Sequence, residues 1–291
     1  MICNICPRRC GAERTETSGT GFCRMPAGLV AARAMLHQWE EPCLSGTRGA
    51  GCVFFTGCNL GCVYCQNGPI SHESFGKPIS PARLREIFDA LVADGAHCID
   101  LVTPTHFTPW ILEALREPLP VPVVWNCGGY ESVETLRALE GKVQIYLPDL
   151  KYADAALAGE LSAAPDYFAV AQAAIDEMLR QTGPYRMGED GLLQSGVLIR
   201  HMVLPGKLDN TRRVIDYVAA RFRPGEVLFS LMSQYTPQKN ASGALARRIT
   251  GAEYRAAVEY MSACGITDGF VQEKSSAKEE YTPEFDLTGI L

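Results

Sequence analysis

The sequence predicts an α/β fold: a partial (β/α)6 barrel carrying a small N-terminal Cys-rich metal-binding module. Three observations predict it. Beyond residue 50, six short apolar runs rich in β-branched and aromatic residues alternate with helical patterns, as in parallel sheets with right-handed crossovers. Six such units are too few to close an eight-fold barrel. Before residue 50 the chain is rich in Cys, Arg and Gly and has little periodicity, so bound metal is the natural organiser of that stretch. The expected division is 1–50 for the module and 51–291 for the barrel.

The strand runs are 52–55, 98–102, 121–125, 143–147, 197–203 and 227–231. Helices are expected after them at 81–94, 109–116, 132–139, 167–181, 211–222 and 252–264, and a short run at 269–272 follows the last. The helix at 81–94 has the clearest pattern. Leu84, Ile87, Phe88, Leu91 and Val92 fall on one face at helical spacing. Ser80 suits its cap, Pro81 its first turn and Gly95 its end. In sheets of this kind the chemistry sits at the C-terminal ends of the strands.

Nearly half of the 291 residues (47%) are hydrophobic, which is ample for one core. The net charge of −6 gives no chain-wide basic excess and argues against a nucleic-acid partner. No stretch approaches the ~20 apolar residues of a membrane helix. The opening MICNICPRRC has no apolar core of a secretory signal, so a cytoplasmic location with reduced thiols is expected. Twelve cysteines in that setting argue for metal or iron–sulfur ligation rather than disulfides.

The strongest constellation follows the first strand, in GCVFFTGCNLGCVYCQN at 51–67, where Cys58, Cys62 and Cys65 have C-x3-C-x2-C spacing. Three thiolates on one tight loop can bind three irons of a cubane cluster. The fourth iron then keeps an open position, which can take the amino and carboxylate groups of a methionine derivative. With 12 cysteines among 291 residues, chance produces this spacing at a rate of roughly 0.02. Gly57 and Gly61 let the backbone wrap closely. The plain alternatives are a zinc knuckle or three buried thiols. A second constellation is Cys3-x2-Cys6-x3-Cys10-x12-Cys23. Four thiolates suit a closed tetrahedral zinc site or an auxiliary [4Fe–4S] cluster, whereas a redox disulfide needs only two. Cys43, Cys52, Cys98, Cys127 and Cys264 read as small buried hydrophobes.

The segment at 51–67 resembles the radical-SAM superfamily, whose loop reads C-x3-C-x-aromatic-C. Within it the chain is most similar to the pyruvate formate-lyase activating-enzyme-like group, in a branch with an N-terminal cysteine motif. The stretches CPRRCG, GFCR, EEPCLSG, FFTGCNLGCVYCQN, LVTPTHF, YLPDLKY and SLMSQYTP carry the likeness over most of the chain. The resemblance implies a barrel of radical-SAM type. It implies that Cys58, Cys62 and Cys65 ligate a [4Fe–4S] cluster, that S-adenosyl-L-methionine (SAM) binds its open iron, and that the backbone around Tyr64 contacts the adenine. Most members carry a Gly-Gly-Glu segment after the second strand to receive the SAM amino group. Here the place reads Thr103-Pro-Thr105-His106. The carboxylate is missing, although threonine hydroxyls and carbonyls can still accept from an ammonium.

Asn126, Gly128 and Gly129 follow the third strand. Asn126 can hydrogen-bond a ribose or carboxylate and the glycines permit close approach; a simple turn is the other reading. Asp149 and Lys151 end the fourth strand in an Asp-Leu-Lys motif similar to that of the activating enzymes, with Lys151 to neutralise the SAM carboxylate and Asp149 to bind a cation or orient Lys151; a solvated ion pair at a strand end is the other reading. In Arg200-His201-Met202, alternation puts Arg200 and Met202 on one face, toward the barrel, and leaves His201 structural. Ser230, Gln234 and Tyr235 are weaker channel candidates, and His37 and His72 have no assigned partner. The implied activity is reductive cleavage of SAM to a 5′-deoxyadenosyl radical that abstracts hydrogen from a substrate. The resemblance points to a backbone glycine of a partner glycyl-radical enzyme, with flavodoxin or ferredoxin as electron donor. The alternatives are another peptide or small metabolite as substrate, or an electron-transfer or zinc-binding protein without SAM chemistry. The last would leave Asp149, Lys151 and Arg200 without a purpose.

Overall fold

In the computed structural model, residues 1–239, 241–272 and 283–291 are described. The N-terminal segment forms two short antiparallel strands, β1 (Ile2–Cys3) and β2 (Ala12–Glu13). They stand apart from the large sheet, which has ten strands among the described residues. The large sheet begins with β3 (Leu29–His37), β4 (Ala50–Phe55) and β5 (Lys77–Ile79), in which β3 runs antiparallel to both neighbours. It continues through β6 (Ile99–Val102), β7 (Val123–Cys127), β8 (Ile145–Pro148), β9 (Arg186–Met187), β10 (Leu193–Met202), β11 (Leu228–Met232) and β12 (Gly269–Val271).

Strands β4, β6, β7, β8, β10, β11 and β12 lie side by side in that order, every pair parallel. Each expected strand run is among them. The sheet path ends at β5 on one side and β12 on the other, so the barrel is partial. Helices fill the crossovers: α1 (Pro42–Ser45) and α2 (Gly68–Ser71) are single turns, then come α3 (Pro81–Ala93), α4 (Thr108–Ala114), α5 (Val133–Ala138), α6 (Ala155–Ser162), α7 (Tyr167–Thr182), α8 (Leu208–Arg221) and α9 (Gly251–Ala263). No helix among the described residues is long and apolar enough to cross a membrane.

Helix α3 forms as its sequence dictates. The Ser80 hydroxyl accepts from the Arg83 amide, Pro81 occupies the first turn, and Leu84, Ile87, Phe88 and Leu91 are buried. Burying one such side chain contributes roughly 2 kcal/mol. Strand alternation sorts the rest. Val53, Phe55, Leu101, Trp125, Tyr146, Ile199 and Phe229 join the larger core cluster, with the buried faces of the helices. Cys52, Phe54, Val124, Leu147, Leu198 and Leu228 form a second buried cluster on the other face of the sheet.

Strand β3 and helix α6 are among the elements absent from the sequence reading. Strand β3 is LVAARAMLH, buried along most of its length, so it lacks the alternation that marks a half-exposed strand, and its alanines have little strand preference. It lies within residues 1–50 yet belongs to the large sheet. Helix α6 is AALAGELS, eight residues capped by Asp154, in which Leu157 and Leu161 are the only large apolar side chains to mark a face.

Candidate functional site

The loop after β4 carries Cys58, Cys62 and Cys65. It turns at Gly57 and Gly61, with φ of +80° and +60°, where glycine alone is at ease. A Cβ on Gly57 would lie 2.5 Å from Met25 Cγ and 3.0 Å from the Cys23 carbonyl oxygen. The three thiols form no disulfide, and all three open onto one cavity of about 230 Å³. The Leu60 amide donates to Cys58 Sγ at 3.3 Å and the Ser162 hydroxyl to Cys62 Sγ at 2.9 Å. Behind Ser162, its hydroxyl lies 2.7 Å from that of Tyr152, which lies 2.7 Å from that of Tyr64.

Burial pushes the Cys58 thiol up to about 12, and the neighbouring Cys62 and Cys65 add to it. A bare Cys58 thiolate is therefore disfavoured, and a cationic metal centre is what would remove its proton. A single tetrahedral zinc, at ~2.3 Å from each sulfur, would draw the sulfurs to about 3.8 Å of one another. Among the described residues, the trio of ligand atoms gathered within 4.8 Å is Glu40, Cys52 and Asp100. Neither the triplet nor the N-terminal quartet is closed to that extent.

The facing wall comes from the ends of β7, β8 and β10. Lys151 Nζ lies 2.6 Å from Asp149 Oδ2, and Arg200 Nε donates to Asp149 Oδ1 at 3.0 Å. Arg200 also reaches Glu40 Oε1 at 2.8 Å and Asn126 Oδ1 at 2.7 Å, and Asn126 Nδ2 donates to Asp100 Oδ2 at 3.1 Å. Burial alone would raise Asp149, but Lys151 and Arg200 outweigh it and hold the carboxyl below its usual range. Burial would likewise lower Lys151, and Asp149 reverses that. Asp100 is fully buried, and burial with the Glu40 charge drives it well above the usual carboxylate range. The Cys52 thiol beside it is raised too, first by burial and then by Asp100. Two acids and two bases, Glu40, Asp149, Lys151 and Arg200, make up the ion-paired set.

Of the residues singled out from sequence, Cys58, Cys62, Tyr64, Cys65, Thr103, Asn126, Asp149, Lys151, Arg200 and Met202 all line this cavity. Thr103 does so with a left-handed backbone, φ +61°, its amide donating to the Asn126 carbonyl. Thr105, His106 and Gly129 are not brought to it. The Thr105 hydroxyl donates to Glu131 Oε1 at 2.6 Å, and His106 Nε2–H donates to the Thr56 carbonyl at 2.7 Å. Burial pushes His106 down to about 3, so it stays neutral. Gly129 has φ +76°, and a Cβ there would sit 2.1 Å from the Asp149 carbonyl oxygen; it is a packing glycine.

His201 is structural, held between the Leu150 carbonyl at 2.6 Å and the Thr211 hydroxyl at 3.0 Å. Gln234 and His37 line the cavity, whereas the Ser230 hydroxyl donates to Glu41 and that of Tyr235 to the Leu245 carbonyl. His72 has a partner after all: its Nε2 meets the Cys62 carbonyl at 3.0 Å. Sequence reasoning missed Trp39 and Glu40, which line the cavity from the turn between β3 and α1. Glu40 opens EEPCLSG, one of the stretches that carry the family likeness, and Trp39 precedes it, but nothing local reveals that this turn folds across the sheet.

In the N-terminal quartet, Cys3, Cys6 and Cys23 are buried and Cys10 is exposed. Burial pushes Cys6 up to about 12 against the Arg8 amide, with Cys23, Glu131 and Cys3 adding.

No protein-family profile matches the chain. The chain is 29% identical over 276 residues to an uncharacterized protein of Methanocaldococcus jannaschii, across 88% of this chain and 73% of that protein. Among solved structures it is similar to Streptococcus suis SuiB bound to S-adenosylmethionine, with a TM-score of 0.51 and 14% identity over 77% of this chain. The chain spans half (50%) of SuiB's length. Methylornithine synthase (PylB) superposes with a TM-score of 0.49 and 14% identity over 74% of this chain and 60% of that one. The likeness to SuiB concerns the fold alone, an α/β partial barrel.

Proposed function

We propose that the chain is a radical-SAM enzyme, with a [4Fe–4S] cluster on Cys58, Cys62 and Cys65 and SAM in the adjoining cavity. One observation carries this reading. Three free thiols of one loop share a cavity with Asp149, Lys151 and Arg200 at the C-terminal ends of parallel strands. The sequence resemblance at 51–67 and the fold shared with a SAM-bound structure support it. When bound, cluster and SAM supply one-electron cleavage of the sulfonium and hence a 5′-deoxyadenosyl radical that takes a hydrogen atom from the substrate.

The protein's own residues bind, orient and shield. Lys151 and Arg200 present the positive charge that a SAM carboxylate needs, and Asp149 holds both cations in place until it arrives. Asn126 and Thr103 offer polar groups on the same wall. Leu60, Phe54, Met202 and Met232 give that cavity apolar sides that keep water from a reactive radical.

The substrate proposed is a backbone glycine of a glycyl-radical enzyme, as in the activating enzymes that the sequence resembles. The Trp39 indole, 62% exposed at the edge of the cavity, offers apolar surface to an incoming partner loop. Flavodoxin or ferredoxin is the proposed donor. Another peptide or a small metabolite is the second substrate class. Anaerobic reconstitution with iron and sulfide, then SAM and a strong reductant, tests the assignment. The native chain should release 5′-deoxyadenosine and the Cys58→Ala, Cys62→Ala, Cys65→Ala triple variant should release none. A verified cluster with no deoxyadenosine, even with candidate peptides present, would overturn it in favour of an electron-transfer or zinc-binding protein.

A further inference from the structure

Arg8 lies inside the Cys3–Cys10 run, yet its guanidinium is spent on the cluster loop. Nε donates to the Asn59 carbonyl at 2.8 Å, and Nη2 to the carbonyls of Ser162 at 2.8 Å and Leu60 at 3.4 Å. Nη1 donates to the Ala163 carbonyl. The guanidinium carbon stands 3.9 Å from the centre of the Phe22 ring and 5.2 Å from that of Tyr130. Asn59 and Leu60 are residues between Cys58 and Cys62, and Ser162 is the residue whose hydroxyl meets Cys62 Sγ.

Arg14 grips the other end of the loop. It is 3% exposed, and its guanidinium donates to Cys23 Sγ at 3.2 Å and to the His106 carbonyl at 2.7 Å. A guanidinium buried this deeply needs negative charge beside it, and a metal-bound Cys23 thiolate would provide it. His106 in turn holds the Thr56 carbonyl, two residues before Cys58. The next residue, Gly57, packs against the Cys23 carbonyl and the Met25 side chain. The loop is therefore bracketed at Thr56–Gly57 and at Asn59–Leu60, both times from the cysteine-bearing N-terminal segment.

We propose that a metal centre on Cys3, Cys6, Cys10 and Cys23 sets the shape of the cluster loop through Arg8 and Arg14, so that filling the N-terminal centre precedes assembly of the cluster on Cys58, Cys62 and Cys65. The inference rests on the cluster assignment above. Arg8 and Arg14 are positioning residues in it. The metal orders the backbone that carries them, and they order the carbonyls of the loop. The chemistry of the N-terminal centre, zinc or iron–sulfur, is immaterial to this role.

The test uses the full chain reconstituted anaerobically, with elemental analysis, cluster absorbance, electron paramagnetic resonance of the reduced cluster, and hydrogen exchange over residues 57–62. In Cys10→Ser the N-terminal metal is lost. Cluster occupancy should then fall roughly tenfold and exchange at 57–62 should rise, with the far-ultraviolet spectrum unchanged. Arg8→Ala should keep the N-terminal metal and show the same two changes. Arg8→Lys should not restore the native values, because an ammonium cannot span four carbonyls. Native occupancy and native exchange in either Cys10→Ser or Arg8→Ala overturns the proposal, as does full rescue by lysine. Should the native chain bind no cluster at all, the cluster assignment fails. The exchange comparison then still decides whether the N-terminal metal shapes the loop.

Discussion

Glu41 illustrates how much a single buried acid can report. It is 6% exposed, and its Oε2 accepts from the Ser230 hydroxyl at 3.1 Å. Burial lifts its carboxyl from an ordinary 4.5 to about 7; Arg200 pulls the other way and Glu40 adds to the rise. Across that interval the folded chain holds a proton that the unfolded chain has released. Stability should therefore fall as pH rises from about 4.5 to about 7, by up to about 1.4 kcal/mol per pH unit, and then level off. Glu41→Gln should remove that share of the slope in melting temperatures measured across this range; an unaltered slope would assign it elsewhere. The same scale separates what sequence could reveal from what it could not. Cys58, Cys62, Cys65, Asp149, Lys151 and Arg200 were legible because strand ends and alternation place them. Glu40 and Glu41 precede the barrel, and only the tertiary path of their turn brings them to Arg200. Thr105 and His106 follow the right strand, but a short 3-10 turn at Thr105–Phe107 carries their side chains into the core.

At the scale of elements, the turn after β7 is decided by close approach. Gly129→Ala would put a methyl group 2.1 Å from the Asp149 carbonyl oxygen at φ +76°. Overpacking and strain together should cost at least about 2 kcal/mol in denaturant titration. Gly141→Ala is the control: φ is +77°, but nothing lies within 4 Å of the added methyl, so only the backbone cost of about 1 kcal/mol applies. Equal losses in the two variants would refute the packing argument. Helices α3, α7, α8 and α9 were readable to within three residues at each end, because each is long enough to repeat its apolar spacing. Strand β3 and helix α6 were not, one for want of alternation and the other for want of large apolar side chains.

For the whole molecule, the order of strands dictates where unfolding begins. Strands β6, β7, β8 and β10 have paired neighbours on both sides, while β5 and β12 terminate the sheet. Native-state hydrogen exchange should be slowest at β6, β7 and β8 and fastest at β5 and β12; protection at β12 equal to that at β7 would show that another element covers that edge. The sheet order itself was implied by six consecutive β–α units. The antiparallel extension through β3 and β5 was not, since a strand added on the near side of the first unit leaves no mark on that repeat.

The hydroxyl run from Tyr64 through Tyr152 to Ser162 ends on Cys62 Sγ, a ligand of the proposed cluster. A hydrogen bond to a ligating sulfur draws electron density from it and makes the reduced state easier to reach. In the proposed centre, helix α6, which contributes only Ser162 to this run, would thereby act on reduction potential. The voltage at which a physiological donor can drive the centre would depend on a short helix that carries no ligand.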